Sequence, residues 1–196
     1  MKEIILASNN KGKLVELKEK LSRFGFYVVS QREAGIELEV EENGKTFSDN
    51  AKIKAEAIYN LTKKTVLADD SGLEVDFLNG QPGVYSHRFA GPNATDIDRY
   101  KKVLNLLKGV PDEKRTARFR CSICYIDKNG KDYIFDGVSE GKIGYEPKGE
   151  NGFGYDPIFI SENGKTFAEL SQEEKSEISH RGRAVRKLID FLENEL

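Results

Sequence analysis

The stretch Val66-Leu67-Ala68-Asp69-Asp70-Ser71-Gly72 decides how this chain is read. A short apolar run ends in two acids, a hydroxyl and a glycine. The run has the make-up of a buried strand, and the glycine is where a turn is expected. Two adjacent carboxylates at a strand end disfavour each other's ionisation. A hard cation, Mg²⁺ foremost, relieves that repulsion, because carboxylate oxygens are the ligands it takes. The plain alternative is a solvated turn that carries two acids, and the motif's neighbours decide against it.

Composition sets the outer limits. The 196 residues make a single domain, 1–196, or one elongated domain of two lobes. A hydrophobic share of 38% suffices for a real core, and 33% charged residues give a well-solvated surface. The net charge of −2, with 31 Lys+Arg against 33 Asp+Glu, lacks the basic excess that a nucleic-acid polymer demands. Basic groups that meet phosphate must therefore be few and locally placed. No apolar stretch approaches the ~20 residues that span a bilayer, so no membrane partner is expected. Met1-Lys2-Glu3-Ile4-Ile5-Leu6 is too short for a signal peptide, so the expected location is the cytoplasm. The two cysteines, Cys121 and Cys124, lie three apart in a strand-like segment. At a period of two they face opposite ways, which makes them core thiols rather than a metal or disulfide pair.

The rest reads as alternating α/β units. Lys2–Ala7 is a buried strand, and Leu14, Leu17, Leu21 and Phe24 recur at helical spacing over Lys11–Phe24. Phe26–Val29 predicts a strand, Thr46–Thr62 a helix, and Asp96–Leu107 another helix. Two long strands, Ala117–Ile126 and Asp132–Ile143, meet at Lys128-Asn129-Gly130, a strong hairpin signal. Val185, Leu188, Ile189 and Leu192 mark a C-terminal helix.

Three polar segments are too particular for loops chosen only for solubility. Ser8-Asn9-Asn10-Lys11-Gly12-Lys13 joins the first strand to the first helix, an arrangement that turns backbone N–H groups toward an anion, with Lys13 adding charge; an Asn/Ser helix cap fits it equally well. Gly152-Phe153-Gly154-Tyr155-Asp156-Pro157 flanks an aromatic with glycines, so that Phe153 or Tyr155 could stack on a flat ring while Asp156 accepts hydrogen bonds; a tight turn around a packed aromatic is the plain alternative. In Ser179-His180-Arg181, Ser179 is a helix N-cap that brings polar side chains beside free N–H groups.

Taken in order, Ser8–Lys13, Glu41-Glu42-Asn43-Gly44-Lys45-Thr46-Phe47, Asn50–Ala55, Ala68–Gly72, Gly152–Phe159 and Ser179–Arg181 resemble the inosine triphosphate pyrophosphatase family over nearly the whole chain. The resemblance implies an elongated, two-lobed α/β fold: a central twisted mixed β-sheet flanked by helices, with the active site in the cleft between lobes. It implies hydrolysis of non-standard purine nucleoside triphosphates (ITP, dITP, XTP) to monophosphate and pyrophosphate, with water attacking the α-phosphate. It further implies Mg²⁺ as cofactor and a homodimeric assembly.

Carried over by position, Asp70 takes the proton from the attacking water and also binds the metal. Glu42 is the second metal carboxylate, with Glu41 the alternative one residue away. Ser8, Asn9, Asn10, Lys11, Gly12, Lys13, Lys54 and Ser71 hold the triphosphate. Phe153, Gly154, Tyr155, Asp156, Lys175, His180 and Arg181 form the base pocket. Three rival readings are a pyrophosphatase of the septum-inhibition type, a non-catalytic nucleotide sensor and a purely structural domain. The base-pocket motifs oppose the first, the acid–lysine set the second, and the co-linear polar motifs the third.

Overall fold

The computed structural model describes residues 2–195. Six strands form one open mixed sheet in the order β2-β1-β3-β4-β5-β6: β1 (Lys2–Leu6), β2 (Phe26–Ser30), β3 (Val66–Val75), β4 (Thr116–Ile126), β5 (Asp132–Ile143) and β6 (Phe159–Ser161). β1 runs parallel to both β2 and β3, whereas β5 and β6 are antiparallel. Consecutive β4 and β5 are neighbours joined through 127–131, too short a connection for anything but a hairpin. The helices are α1 (Lys11–Ser22), α2 (Phe47–Thr62), α3 (Asp96–Leu106), α4 (Gln172–Ile178) and α5 (His180–Glu195). No helix among the described residues is long and apolar enough to cross a membrane.

The chain resolves into two compact units. One comprises Met1–Asp70, Ser122–Asp136 and Val185–Leu196; the other comprises Ser71–Cys121 and Gly137–Ala184. In the first unit, α2 starts at a capping box in which Thr46 and Asp49 exchange side-chain and backbone hydrogen bonds. Its apolar stripe, Ala51, Ala55 and Ile58, joins Ile5, Val29, Val66, Ala68, Cys124 and Ile126 in one core. Both cysteines are fully buried core thiols outside any disulfide, and burial pushes the Cys124 thiol up to about 12.

One expectation fails. The strand predicted to stop at Ala68 runs on through Asp69, Asp70, Ser71 and Gly72 to Val75. The reason lies just beyond the acids, where Leu73 and Val75 resume a buried period-two pattern. Gly72 is therefore a strand residue and not a turn.

In the second unit a core around Leu73, Val103, Phe119, Phe159 and Phe167 encloses Arg115, which is 2% exposed. Its guanidinium donates to the carbonyls of Ile143 (2.8 Å), Leu107 (2.8 Å), Val110 (3.5 Å) and Gly144 (2.6 Å). The cation lies over the Tyr145 ring at 4.3 Å. One side chain thus satisfies the end of α3 and the end of β5 together. Arg115→Ala, which strands these carbonyls, is expected to cost at least about 3 kcal/mol in urea unfolding. Arg115→Lys should recover only part of that, since an ammonium lacks the planar fork.

Candidate active site

The continuous strand splits the acidic pair. Successive side chains of a strand point to opposite faces. Asp70 shares the parity of Val66 and Ala68, hence the face on which α2 packs, and its Oδ2 accepts from Asn50 Nδ2 of α2 at 3.0 Å. Asp69 points the other way and pairs with Lys13 of α1, Oδ1 to Nζ 2.9 Å. The two carboxylates thus leave the strand on opposite faces with different nearest partners, although the Lys13 charge acts on Asp70 as well.

The topology explains why polar groups gather here. The chain leaves β1 toward β2 on one side and returns to β3 on the other, a switch point of the kind where open α/β sheets bind ligands. Leu6 pairs with Leu67 and the Ala7 N–H bonds the Leu67 carbonyl at 2.8 Å, so the loop after β1 emerges alongside Ala68–Asp70. Within that loop, Asn10 caps α1 by accepting from the Lys13 N–H (3.1 Å), and Ser8 Oγ accepts from the Asn10 N–H (3.1 Å). The cap that the sequence left open is thus present. The Lys11 and Gly12 N–H groups belong to the first helical turn, where no intrahelical acceptor exists. The Asn9 side chain accepts from the Arg32 N–H at 3.1 Å, which ties the loop to the segment after β2.

Lys54 is the hub of the first unit. Its ammonium lies 3.0 Å from Glu42 Oε1 and 3.9 Å from Asp70 Oδ1, and it donates to the Asp69 carbonyl at 2.8 Å. Glu42 is half-buried while Glu41 is exposed, so between the two candidates the geometry points to Glu42. Burial raises the Asp70 carboxyl above its ordinary range, and the Glu42 charge adds to this; Lys54, Asn50 and Lys13 pull against it.

Asn50, quoted in the sequence motif but given no role, does essential work in this geometry. It is fully buried; its Nδ2 donates to Asp70 while its Oδ1 accepts from the Gly44 N–H at 2.8 Å. It thereby ties the loop that carries Glu42 to the strand that carries Asp70. A Cβ at Gly44 would lie 2.6 Å from Asn50 Oδ1 and from Asp49 Cβ, so the close approach needs glycine.

The remaining predicted residues lie in the second unit. Asp156 is buried; it accepts from the Phe153 N–H (2.8 Å) and pairs directly with the Lys175 ammonium. Burial pushes its carboxyl up, opposed by Lys175, the Phe153 N–H and Arg181. Gly152, at φ +77°, has no room for a Cβ beside that carboxylate. The Phe153 ring is 49% exposed, with Lys175 Nζ 4.9 Å and the Arg181 guanidinium 5.8 Å from its centroid. Gly154 N–H donates to Asp96 at 2.8 Å. Arg181 also donates to Ser71 Oγ at 3.2 Å. His180 opens α5 and stacks on Phe119, centroids 4.7 Å apart. Ser179 Oγ accepts from the Gly182 N–H at 3.1 Å, as an N-cap should. Tyr155 is a correction: it is 4% exposed in the core, its hydroxyl donating to the Ser86 carbonyl, so Phe153 alone offers a ring face.

Residues 4–191 match the profile of the Ham1 family. This protein belongs to the Ham1 family. Among curated relatives, a dITP/XTP pyrophosphatase of Desulforamulus reducens is 52% identical over 191 residues, covering 97% of this chain and 95% of the relative. The dITP/XTP pyrophosphatase of Bacillus subtilis is 50% identical over 194 residues, covering 98% of each. The solved Ham1 protein of Staphylococcus aureus superposes with a TM-score of 0.92 at 44% identity over 100% of both chains.

A pH test follows from the Asn50–Asp70 contact. Asn50→Asp puts two desolvated carboxylates within hydrogen-bond reach, where both cannot ionise. Their shared proton has a folded-state affinity above that of the unfolded chain, so stability is present at acid pH and lost as pH rises. Metal-free Asn50→Asp is therefore expected to melt well below wild type at pH 7, with the gap closing toward pH 4 in a thermal unfolding series.

Proposed function

We propose that this protein is a nucleoside-triphosphate pyrophosphatase that hydrolyses ITP, dITP and XTP to the monophosphate and pyrophosphate. The observation that carries the proposal is Asp70: a buried carboxyl of raised pKa, held by Asn50 and flanked by Lys54 and Glu42. The dITP/XTP pyrophosphatase activity of the Desulforamulus and Bacillus relatives supports the substrate class.

Glu42 and Asp70 would hold Mg²⁺. Both reach toward the one position that the Lys54 ammonium occupies, so the pair accommodates a cation. No group of three or more candidate ligand side chains occurs among the described residues, which suits a metal that takes one or two carboxylates and completes its shell with phosphate and water. When bound, the ion supplies Lewis-acid charge against the phosphate oxygens.

The chain's own groups do the rest. The raised Asp70 carboxyl accepts a proton from the water that attacks the α-phosphorus, and burial brings its pKa closer to the working pH. Lys13 and Lys54 counter the charge that grows on the departing pyrophosphate. Ser8, Asn9, Asn10, Ser71 and the Lys11–Gly12 N–H groups take the remaining phosphate oxygens. Phe153 stacks on the purine, while Arg181, His180 and Lys175 provide donors to a 6-oxo group. Adenine presents an amino group there and would leave a donor unpaired, at roughly 1–3 kcal/mol per contact. Residues 1–196 act as one catalytic domain, and the resemblance adds a homodimeric assembly; a cytoplasmic location is part of the same proposal.

A panel of nucleoside triphosphates with Mg²⁺, assayed separately for pyrophosphate and orthophosphate, tests the reaction. Pyrophosphate from ITP and XTP with little from ATP is expected; orthophosphate release refutes α–β cleavage. Asp70→Asn should fold and lose at least about two orders of magnitude in kcat. Because its buried carboxylate is destabilising when ionised, the same variant should melt higher than wild type at pH 7 without metal. Added Mg²⁺ should raise the wild-type melting temperature and leave Asp70→Asn nearly unmoved.

A further inference from the structure

Asp69 has no part in the reaction as proposed, yet it is among the most deeply buried charges of its unit, at 3% exposure. Its carboxylate is spent on Lys13, Oδ1 to Nζ 2.9 Å, and its backbone carbonyl accepts from Lys54 at 2.8 Å. By charge alone this is a handicap. A carboxylate beside a lysine that must meet phosphate cancels the field the phosphate needs, and burying an anion is itself unfavourable. Strand parity also turns it to the face opposite Asp70, away from the group that takes the proton. What the contact does provide is position. Lysine carries its ammonium on a flexible four-carbon stem and loses rotamer freedom when it grips a ligand. An ammonium already fixed by a buried partner has less freedom left to lose.

We infer that Asp69 is a positioning residue for the two phosphate lysines: its carboxylate aims Lys13 and its carbonyl aims Lys54. Residue 69 thus serves both lysines, one through its side chain and one through its backbone. The inference rests on the reading of Lys13 and Lys54 as triphosphate ligands.

The test is a double-mutant cycle on ITP hydrolysis with Mg²⁺, using wild type, Lys13→Ala, Asp69→Asn and the double variant, with unfolding temperatures measured alongside. Asp69→Asn is expected to lower kcat/KM by about tenfold or more, mostly through KM. In the Lys13→Ala background the same change should alter kcat/KM by less than about twofold, because the lysine it aims is gone. Asp69→Glu keeps the charge and shifts only the aim, so a raised KM is expected there too. Losses that multiply independently would mean Asp69 acts directly, and overturn the inference. So would an Asp69→Asn or Asp69→Glu enzyme with wild-type or tighter KM, even if its melting temperature falls. If Lys13→Ala itself leaves KM unchanged, the assignment of Lys13 to phosphate fails, and the inference with it. If Lys13→Ala raises KM while Asp69→Asn does not, only the inference fails.

Discussion

An anion on a buried strand must be given a partner, and β3 carries two in succession. That constraint organises the first unit. Because β3 continues without a turn, Asp69 and Asp70 leave it on opposite faces and each must find its own compensation. Lys13 arrives from the first turn of α1, Asn50 and Lys54 from α2. The crossovers β1-α1-β2 and β2-α2-β3 depart on opposite sides of β1, and right-handed connections of opposite travel put their helices on opposite faces. Parity of the strand and handedness of the crossovers therefore agree, and each acid meets the helix that holds its cation or donor.

The second unit solves a different problem with similar means. A loop that must present an aromatic ring to solvent has to be rigid without being buried. Asp156 supplies the rigidity by accepting from the Phe153 N–H and pairing with Lys175, whose ammonium also lies against the Phe153 ring. His180 is fixed by the Phe119 ring beneath it, and Arg181 is held through Ser71. Cations and rings are thus set by contacts within the unit itself.

Much of this was legible from sequence because its signals are local. The limits of β5 and the cap at Ser179 follow from spacing and from residues that act on their own backbone. The ranges of α1, α2 and α3 follow in the same way, to within a residue or two. Gly72 misled because a glycine after two acids has the composition of a turn, while Leu73 and Val75, which hold the strand, lie beyond it. Tyr155 misled for a related reason: whether a ring faces solvent or core depends on what packs over it, here the segment bearing Ser86. Asn50 and Arg115 were invisible as a matter of principle. Each works by satisfying groups far away in sequence, Asp70 in one case and the carbonyls of Ile143 and Gly144 in the other.

The small net charge and the polyanionic ligand are reconciled by the same pairing. A chain with 31 basic and 33 acidic residues cannot attract a triphosphate by its overall field. It can hold a few ammonium groups in fixed, partly desolvated positions, where a Coulomb interaction is several times stronger than in water. Lys13 and Lys54 are held in that way, each against a carboxylate and each mostly withdrawn from solvent. The acids that hold them in place also lower their attraction for phosphate, so each lysine trades some field strength for a fixed position.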